Sequence, residues 1–338
     1  MKLLTIPASW LYGLGVAIRH ALYDQHILPS FGAEVPTICV GNIAVGGTGK
    51  TPMTAYLVQL LLDHGYKPAV LSRGYKRSTR GFILADANAT AKTIGDEAMQ
   101  MYERFPNVPI AVCEQRVRGV KQLQRQVEHL DAIILDDAMQ HRALRCGYTI
   151  LLTPYDRLYI DDHLLPYGTL RDLPSRALKA DAIVVTKCPE DIRPIDMRVI
   201  DNRLHLPTYQ HLHFAGISYA PIDHEGTPLV LSGIARPEYL FEHVQKQYPH
   251  AELLAFPDHH AFTRKDIERI KRRANGRTIL TTEKDATRLF DIDYKVIPIE
   301  VKFLGTNKQE DFNQNILNYV RKNKRNSRLS QGENAHKA

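Results

Sequence analysis

A glycine-rich segment that ends in Lys50-Thr51 limits what this chain can fold into more than any other feature. It follows an apolar run at residues 36–40 and precedes a helical pattern at residues 53–64. A strand, a glycine loop and a helix in this order form a phosphate-binding loop, because the backbone N–H groups and the positive helix end favour an anion. The residues predicted to bind a nucleotide are Val45, Gly46, Gly47, Thr48, Gly49, Lys50, Thr51 and Pro52.

Within this loop, two side chains have expected roles. We expect Lys50 to reach the β- and γ-phosphates and the Thr51 hydroxyl to bind Mg²⁺. Ala44 stands where the first glycine of such a loop is usual, and a small residue fits there if its φ is negative.

Short apolar runs alternate with helical patterns along the first two thirds of the chain. This alternation predicts an α/β fold of the P-loop NTPase type, in which a parallel sheet is sandwiched by helices. The predicted strands are residues 38–40, 69–72, 110–113, 132–136, 149–153 and 182–186. A second, smaller α/β domain is predicted from the runs at 229–232, 252–256, 278–281 and 296–299.

The N-terminal segment carries no charge from Leu3 to Ile18, but it is shorter than the roughly 20 apolar residues of a membrane-spanning helix. Large apolar residues recur there at helical spacing: Trp10, Leu11, Leu14, Ile18 and Leu22. This stripe predicts an N-terminal amphipathic helix. An interfacial helix on a membrane and a helix packed on the protein's own core both fit the pattern.

These patterns divide the chain into five parts. Residues 1–30 are predicted to form a membrane-associating helix and residues 31–204 the nucleotide-binding domain. Residues 205–220 are predicted as linker strands, 221–320 as the second α/β domain and 321–338 as a basic flexible tail.

The charge and cysteine content narrow the class of partner. The formal net charge is +7 and the pI is near 9.1, which suits a nucleotide or an anionic membrane surface. The chain lacks aromatic–basic RNA-binding motifs and zinc-finger spacing, so we expect no nucleic-acid partner. Its four cysteines are scattered, mostly in apolar runs, as in a cytosolic protein with reduced thiols.

Acidic residues follow two of the predicted elements. Asp136 ends the run at 132–136 and Asp137 follows it. A carboxylate there, beside the phosphate loop, is a usual second anchor for Mg²⁺, although one of the two could instead cap a helix. Asp96 lies at the start of a predicted helix. There it could complement the helix dipole, which the pattern alone favours, or act as the general base for an alcohol acceptor.

Two further motifs carry groups that suit phosphoryl transfer. Arg171 lies in a turn-rich loop and could be an arginine finger or an ordinary surface arginine. The run Asp258-His259-His260 has the wrong spacing for two zinc ligands on one helix face, so an aspartate orienting an imidazole is the better interpretation.

Together, these motifs resemble the tetraacyldisaccharide 4'-kinase family, the lipid A 4'-kinases of Gram-negative bacteria. The resemblance runs in order from about residue 1 to residue 290. Its motifs are Gly41-Asn42 with residues 46–52, 71–75, 95–97, 135–137 with Gln140-His141, 165–171, 232–237, 257–260 and 281–285. The family usually has Gly-Phe where this chain has Ala138-Met139, which implies a changed backbone turn.

The resemblance implies transfer of the ATP γ-phosphate to the 4'-hydroxyl of an acylated glucosamine disaccharide 1-phosphate, which forms lipid IVA. It also implies two α/β domains with the site between them, bound peripherally to the cytoplasmic face of the inner membrane. Carried onto matching positions, the family's roles make Asp96 the base and His259 its tuning partner. Lys50 and Arg171 would act on the phosphates, and the metal ligands would be Thr51, Asp136 and Asp137.

Two rival classes share the phosphate loop. Partition-type ATPases place a second lysine directly before the Gly-Gly pair, where this chain has Val45. GTPases bind guanine through an aspartate in a motif that Thr186-Lys187-Cys188-Pro189 approaches, but Pro189 occupies its position. Each rival therefore lacks a residue that its mechanism requires.

Overall fold

The structure is a computed structural model that describes residues 5–234, 237–258, 260–306 and 308–335, with residues 325–335 described by their backbone alone. The helices are α1 (Ile6–Asp24), α2 (Lys50–Asp63), α3 (Ala91–Ile94), α4 (Asp96–Arg104), α5 (Arg116–Gln126), α6 (Pro194–Leu204), α7 (Glu238–Gln247), α8 (Arg264–Ala274), α9 (Glu283–Ala286) and α10 (Lys308–Ala335). The strands are β1 (Phe31–Gly32), β2 (Thr37–Gly41), β3 (Pro68–Ser72), β4 (Ile83–Leu84), β5 (Ile110–Val112), β6 (Ala132–Asp136), β7 (Leu144–Arg145), β8 (Tyr148–Pro154), β9 (Ala182–Thr186), β10 (His211–Tyr219), β11 (Leu229–Ser232), β12 (Glu252–Ala255), β13 (Ile279–Thr282), β14 (Lys295–Ile297) and β15 (Ile299–Leu304).

A nine-stranded sheet forms the main body, in the order β15-β10-β9-β8-β2-β6-β3-β5-β4. Its pairs are parallel except at the two edges, where β10 pairs with β15 and β4 with β5 in antiparallel fashion. Helices cover both faces, so the central strands β2, β3 and β6 are buried along their whole length. This architecture confirms the predicted P-loop α/β fold.

Alternate side chains of β2 pack into opposite layers of the core. Ile38 and Val40 belong to the same apolar cluster as Leu57 of α2, whereas Cys39 packs in a cluster with Leu123 of α5. The helix that follows the glycine loop is therefore anchored on the strand that precedes it, and the loop between them has its two ends held.

A second sheet, in the order β12-β11-β13-β14, is entirely parallel. Leu240 of α7 packs on one face of this sheet and Ile270 of α8 on the other. The chain then returns through β15 to the edge of the main sheet, and Phe312 and Ile316 of α10 join the main core.

Two of the domain boundaries predicted from sequence fall within elements of the fold. The segment predicted as linker strands contains β10, which is a member of the main sheet. The predicted boundary between residues 320 and 321 falls inside α10.

The first helix lies on the surface with an unusual orientation. Its buried residues are Ser9, Gly13 and His20, whereas the apolar stripe predicted from sequence points away from the protein. Trp10 is 75% exposed and Leu11 71% exposed, and of the stripe only Leu22 is half-buried. Among the described residues, none of the helices combines the length and apolar character needed to cross a bilayer.

Candidate active site

The glycine loop connects β2 to α2, and its conformation explains its glycines. Gly46 has a φ of 111° and Gly49 a φ of 88°, values that strain a residue with a Cβ. Gly49 directly precedes the first turn of α2 and has no side chain to occupy the free N–H groups there. Such donors at a helix N-terminus favour a phosphate. Ala44 has a negative φ, so the departure from glycine is accommodated.

Asn42 organises the polar side of this loop. Its side chain is fully buried and its Oδ1 accepts hydrogen bonds from Lys50 Nζ, at 3.5 Å, and from Arg171. Its backbone carbonyl accepts from Gln140 Nε2 at 2.7 Å. The sequence motif includes Gly41-Asn42 but predicts no role for Asn42. Its place directly after a buried strand is a signal that it belongs to the site.

Arg171 is brought to the phosphate loop by its own segment of chain. Arg171 N donates to Ile43 O at 2.8 Å, and Val45 N donates to Thr169 O at 2.8 Å. The loop at residues 163–171 therefore runs antiparallel beside the start of the glycine loop. The Arg171 guanidinium makes two hydrogen bonds to the carboxylate of Asp137, one of them 3.0 Å from Nη1 to Oδ2. The arrangement supports a site cation at Arg171.

The two aspartates at the end of β6 differ in environment. Burial opposes ionisation of Asp137, but the hydrogen bond from Arg171 and the charge of Lys50 outweigh it and lower its pKa. Burial, together with the nearby carboxylates of Glu97 and Asp137, raises the pKa of Asp136 to about 7. Asp137 adopts a φ of 52°, in the left-handed region that is uncommon for a residue with a Cβ.

Asp136 has the features of a metal ligand. It pairs in register with Val40 of β2, so it lies at the carboxyl end of the central strands, where the glycine loop starts. Its Oδ1 is buried and has no hydrogen-bond partner within the part of the chain that the structure describes. An oxygen-preferring cation such as Mg²⁺ would suit this carboxylate oxygen, and the Thr51 hydroxyl in the first turn of α2 is the second candidate ligand.

The candidate base lies where the two sheets' layers meet. Asp96 is the first residue of α4, directly after Gly95, whose φ is 91°. Arg288, from beyond α9, places its Nε 3.9 Å from Asp96 Oδ2 and also pairs with the fully buried Asp285. The same guanidinium donates from Nη1 to His260 O at 3.1 Å.

His259, the predicted partner of Asp96, lies outside the described residues. Its neighbours in the chain are held in place: Asp258 pairs with Lys284 at 3.0 Å, and His260 Nε2 lies 3.1 Å from Asp266 Oδ2. Arg288 therefore links the His260 carbonyl to the candidate base Asp96.

Lys187 is a third cation close to the glycine loop. In the sequence it is notable only as part of the GTPase-like motif. A Cβ on Gly47 would lie 4.0 Å from Lys187 Nζ. Lys187 follows β9 with a φ of 57°, and the hydroxyl of the preceding Thr186 donates to Thr48 O at 2.9 Å. The turn after β9 therefore packs on the loop from the side opposite β6.

A basic cavity of about 620 Å³ opens beside the paired aspartates. Its lining includes His141 and four cationic side chains of α5, namely Arg116, Arg118, Lys121 and Arg125. Burial, and then the positive charges of Arg116, Arg73 and Arg19, lower the pKa of His141 to about 4. Sequence reasoning missed this cavity, because α5 displays its cations in a pattern that is equally typical of a solvated helix.

Comparison with known proteins decides the family. The tetraacyldisaccharide-1-P 4'-kinase family matches residues 1–321. The chain belongs to this family. A tetraacyldisaccharide 4'-kinase of Bacteroides fragilis is 44% identical over 98% of this chain and 96% of its own length. One from Flavobacterium johnsoniae is 43% identical over 96% of this chain and 98% of its own length.

A solved structure agrees. The crystal structure of LpxK from Aquifex aeolicus in complex with ATP superposes with a TM-score of 0.75 at 27% sequence identity, covering 94% of this chain and 99% of that chain. Family membership confirms the resemblance read from the motifs, the P-loop α/β fold and the prediction of a 4'-kinase of lipid A biosynthesis. It decides against the two rival classes.

Proposed function

We propose that this chain transfers the γ-phosphate of ATP to the 4'-hydroxyl of a tetraacylated glucosamine disaccharide 1-phosphate, forming lipid IVA. The observation that carries the proposal is the meeting of Lys50, Arg171 and the Asp136-Asp137 pair around one phosphate loop. The transferring phosphoryl group spreads negative charge over its oxygens, so catalysis depends on positioned cations rather than on covalent chemistry.

On the phosphate side, Lys50 and Arg171 neutralise the developing charge. We propose that Thr51, Asp136 and Asp137 would hold Mg²⁺, which would supply further positive charge to stabilise the transferring phosphoryl group. Asp137 already shares its carboxylate with Arg171, so it orients the arginine as well as the cation. The unpaired Oδ1 of Asp136 is the oxygen best suited to direct contact with the metal.

On the acceptor side, Asp96 takes the proton of the 4'-hydroxyl as that oxygen attacks phosphorus. His259 tunes this base, and Arg288 orients its carboxylate through their contact of 3.9 Å. The carboxylate is half-buried at a helix N-terminus, a position where it stays reachable by a bound hydroxyl.

The basic cavity is a candidate binding site for the 1-phosphate end of the acceptor. Its cations on α5 suit the 1-phosphate of the disaccharide, since charge-assisted hydrogen bonds from arginine fit phosphate oxygens. His141 lines the cavity, and Arg116 of the same lining donates to the backbone carbonyl of Asp136 at 3.2 Å, so the cavity adjoins the aspartate pair. We propose that this cavity receives the anionic end of the glycolipid.

We propose that α1 seats the enzyme on an anionic membrane surface at the cytoplasmic face of the inner membrane. Trp10, Leu11, Leu14 and Ile18 present their apolar side chains outwards, which is the opposite of a helix that packs on a core. The acyl chains of the acceptor would then stay in the bilayer while its sugar enters the site.

The test is incubation with γ-labelled ATP and the tetraacylated disaccharide 1-phosphate in detergent micelles. The proposal predicts a labelled glycolipid whose new phosphate is at the 4' position. Release of labelled phosphate without a labelled lipid, or nucleotide-dependent dimerisation without transfer, would refute it. An acceptor without acyl chains should be phosphorylated poorly.

A further inference from the structure

The face of α1 that contacts the protein is polar, and its contacts go to the active-site loops. Ser9 Oγ donates to Leu164 O at 2.6 Å, and the Tyr12 hydroxyl donates to Arg171 O at 2.8 Å. About two turns further along, Arg19 donates to Gln140 O at 2.8 Å. A helix that served only as an anchor would need none of these bonds to catalytic segments.

The loop that α1 contacts is the one that carries Arg171. It is joined to the glycine loop by the bonds of Arg171 N to Ile43 O and of Val45 N to Thr169 O. Leu170 also bridges to Ala44, and it is fully buried. A displacement of this loop would therefore move the guanidinium relative to the phosphate-binding backbone.

His20 makes the deepest of the helix's contacts. Its Nε2 lies 2.6 Å from Asp172 Oδ1, next to Arg171 in the chain, and both residues are almost completely buried. Its Nδ1 faces Arg142 Nη1 at 3.2 Å, and a guanidinium can only donate. Nδ1 therefore accepts, and the proton is on Nε2, where it is donated to Asp172.

Arg142 forms further contacts with the C-terminal part of α1. Besides His20 Nδ1, it contacts His20 O at 3.3 Å and Asp24 Oδ1 at 2.7 Å. It thereby ties the last turn of α1 to the segment that follows Gln140-His141. Asp172 Oδ1 also accepts from Leu173 N at 2.8 Å, so its carboxylate has one orientation.

We propose that α1 is a positioning element of the active site, in which His20, through Asp172, and Tyr12, through the Arg171 carbonyl, hold Arg171 in place for phosphoryl transfer. This inference rests on the proposed role of Arg171 and adds regulation to it. Because one face of α1 meets lipid and the other holds the Arg171 loop, docking of the helix and placement of the guanidinium are coupled. An enzyme whose helix is displaced keeps its glycine loop but loses the aligned cation.

The test separates positioning from anchoring by using micellar acceptor and measuring vesicle binding separately. His20→Leu removes the donor to Asp172 at similar volume, whereas His20→Gln keeps an amide N–H that can reach Asp172. We expect His20→Leu to lower kcat about tenfold or more, with the KM for ATP changed less than about twofold. His20→Gln should restore much of kcat, and both should bind vesicles like the unmodified protein.

Matched controls come from residues outside the candidate site. His213 is a buried histidine of β10, so His213→Leu controls for the loss of a buried imidazole. Tyr319 of α10 donates from its hydroxyl to Thr37 O at 3.1 Å, so Tyr319→Phe matches Tyr12→Phe. We expect Tyr12→Phe to lower kcat by about threefold to tenfold and both controls to leave it unchanged.

A double-mutant cycle identifies the residue through which α1 acts. In an Arg171→Gln background, His20→Leu should cause no further loss, because the group that it positions is gone. Losses that add, or a full kcat in both Tyr12→Phe and His20→Leu, would overturn the inference. If Arg171→Gln itself keeps near-normal kcat, the proposed role of Arg171 fails instead. Should His20→Leu not fold, the same cycle with Tyr12→Phe decides.

Discussion

The apolar face of α1 gives a prediction whose size follows from the structure. Leu11, Leu14 and Ile18 are 71%, 58% and 54% exposed, so together they offer a membrane somewhat less than two fully exposed side chains. Burying one large apolar side chain contributes about 1.5–3 kcal/mol. Changing all three to Ser should therefore weaken partitioning by about 3–5 kcal/mol, which is roughly two to four orders of magnitude.

The assay is co-sedimentation with vesicles of phosphatidylethanolamine and phosphatidylglycerol at increasing lipid concentration, with the melting temperature measured in parallel. Ile195, Val199 and Leu62 are large exposed apolar residues of α2 and α6, so their triple change to Ser is the matched control. Unchanged vesicle binding by the α1 variant would refute the interfacial role. A large fall in melting temperature would show that the stripe packs on protein instead.

Three further variants probe the site. Lys50→Ala should lower kcat about 10²-fold or more at an unchanged melting temperature, because it removes one preorganised charge; near-normal turnover would contradict the role of the lysine. Asp96→Asn cannot accept a proton, so we expect kcat to fall by about 10²–10⁴ with little change in the KM for ATP; if stability alone falls, Asp96 only complements the helix dipole. Lys187→Met removes the cation nearest Gly47 and should raise the KM for ATP about tenfold with kcat largely kept, which steady-state kinetics at varied ATP would show. An unchanged KM would mean that Lys187 only packs on the loop.

The central strands could be predicted from sequence to within a residue or two, and the physical reason is burial. A parallel strand covered by helices on both faces reads as a continuous apolar run, as Ala132–Asp136 does. The edge strand β15 alternates exposed residues with half-buried or buried ones, and it pairs with a strand far away in sequence. Its return to the main sheet depends on that non-local pairing, which no local pattern encodes.

The same distinction between local pattern and non-local contact separates the site residues that sequence predicts from those that it does not. Lys50 and Asp136 could be predicted from sequence. Lys50 follows the loop after buried strand β2 and Asp136 ends the neighbouring buried strand β6, so backbone topology alone brings them together. Arg171 was placed only through the family resemblance, since its loop has no regular structure. The role of Arg288 depends on where its side chain reaches after folding, and sequence spacing does not determine that.

The orientation of α1 shows where a hydrophobic pattern stops being informative. The spacing of Trp10, Leu14 and Ile18 predicts an apolar stripe but fits a stripe turned inwards or outwards equally well. What decides the direction is the opposite face, where Ser9 and His20 find carbonyl and carboxylate partners that apolar side chains could not satisfy. The same bonds that turn the stripe towards solvent also fasten the helix to the Arg171 loop. The outward orientation of the stripe and the attachment of the Arg171 loop therefore have one structural cause.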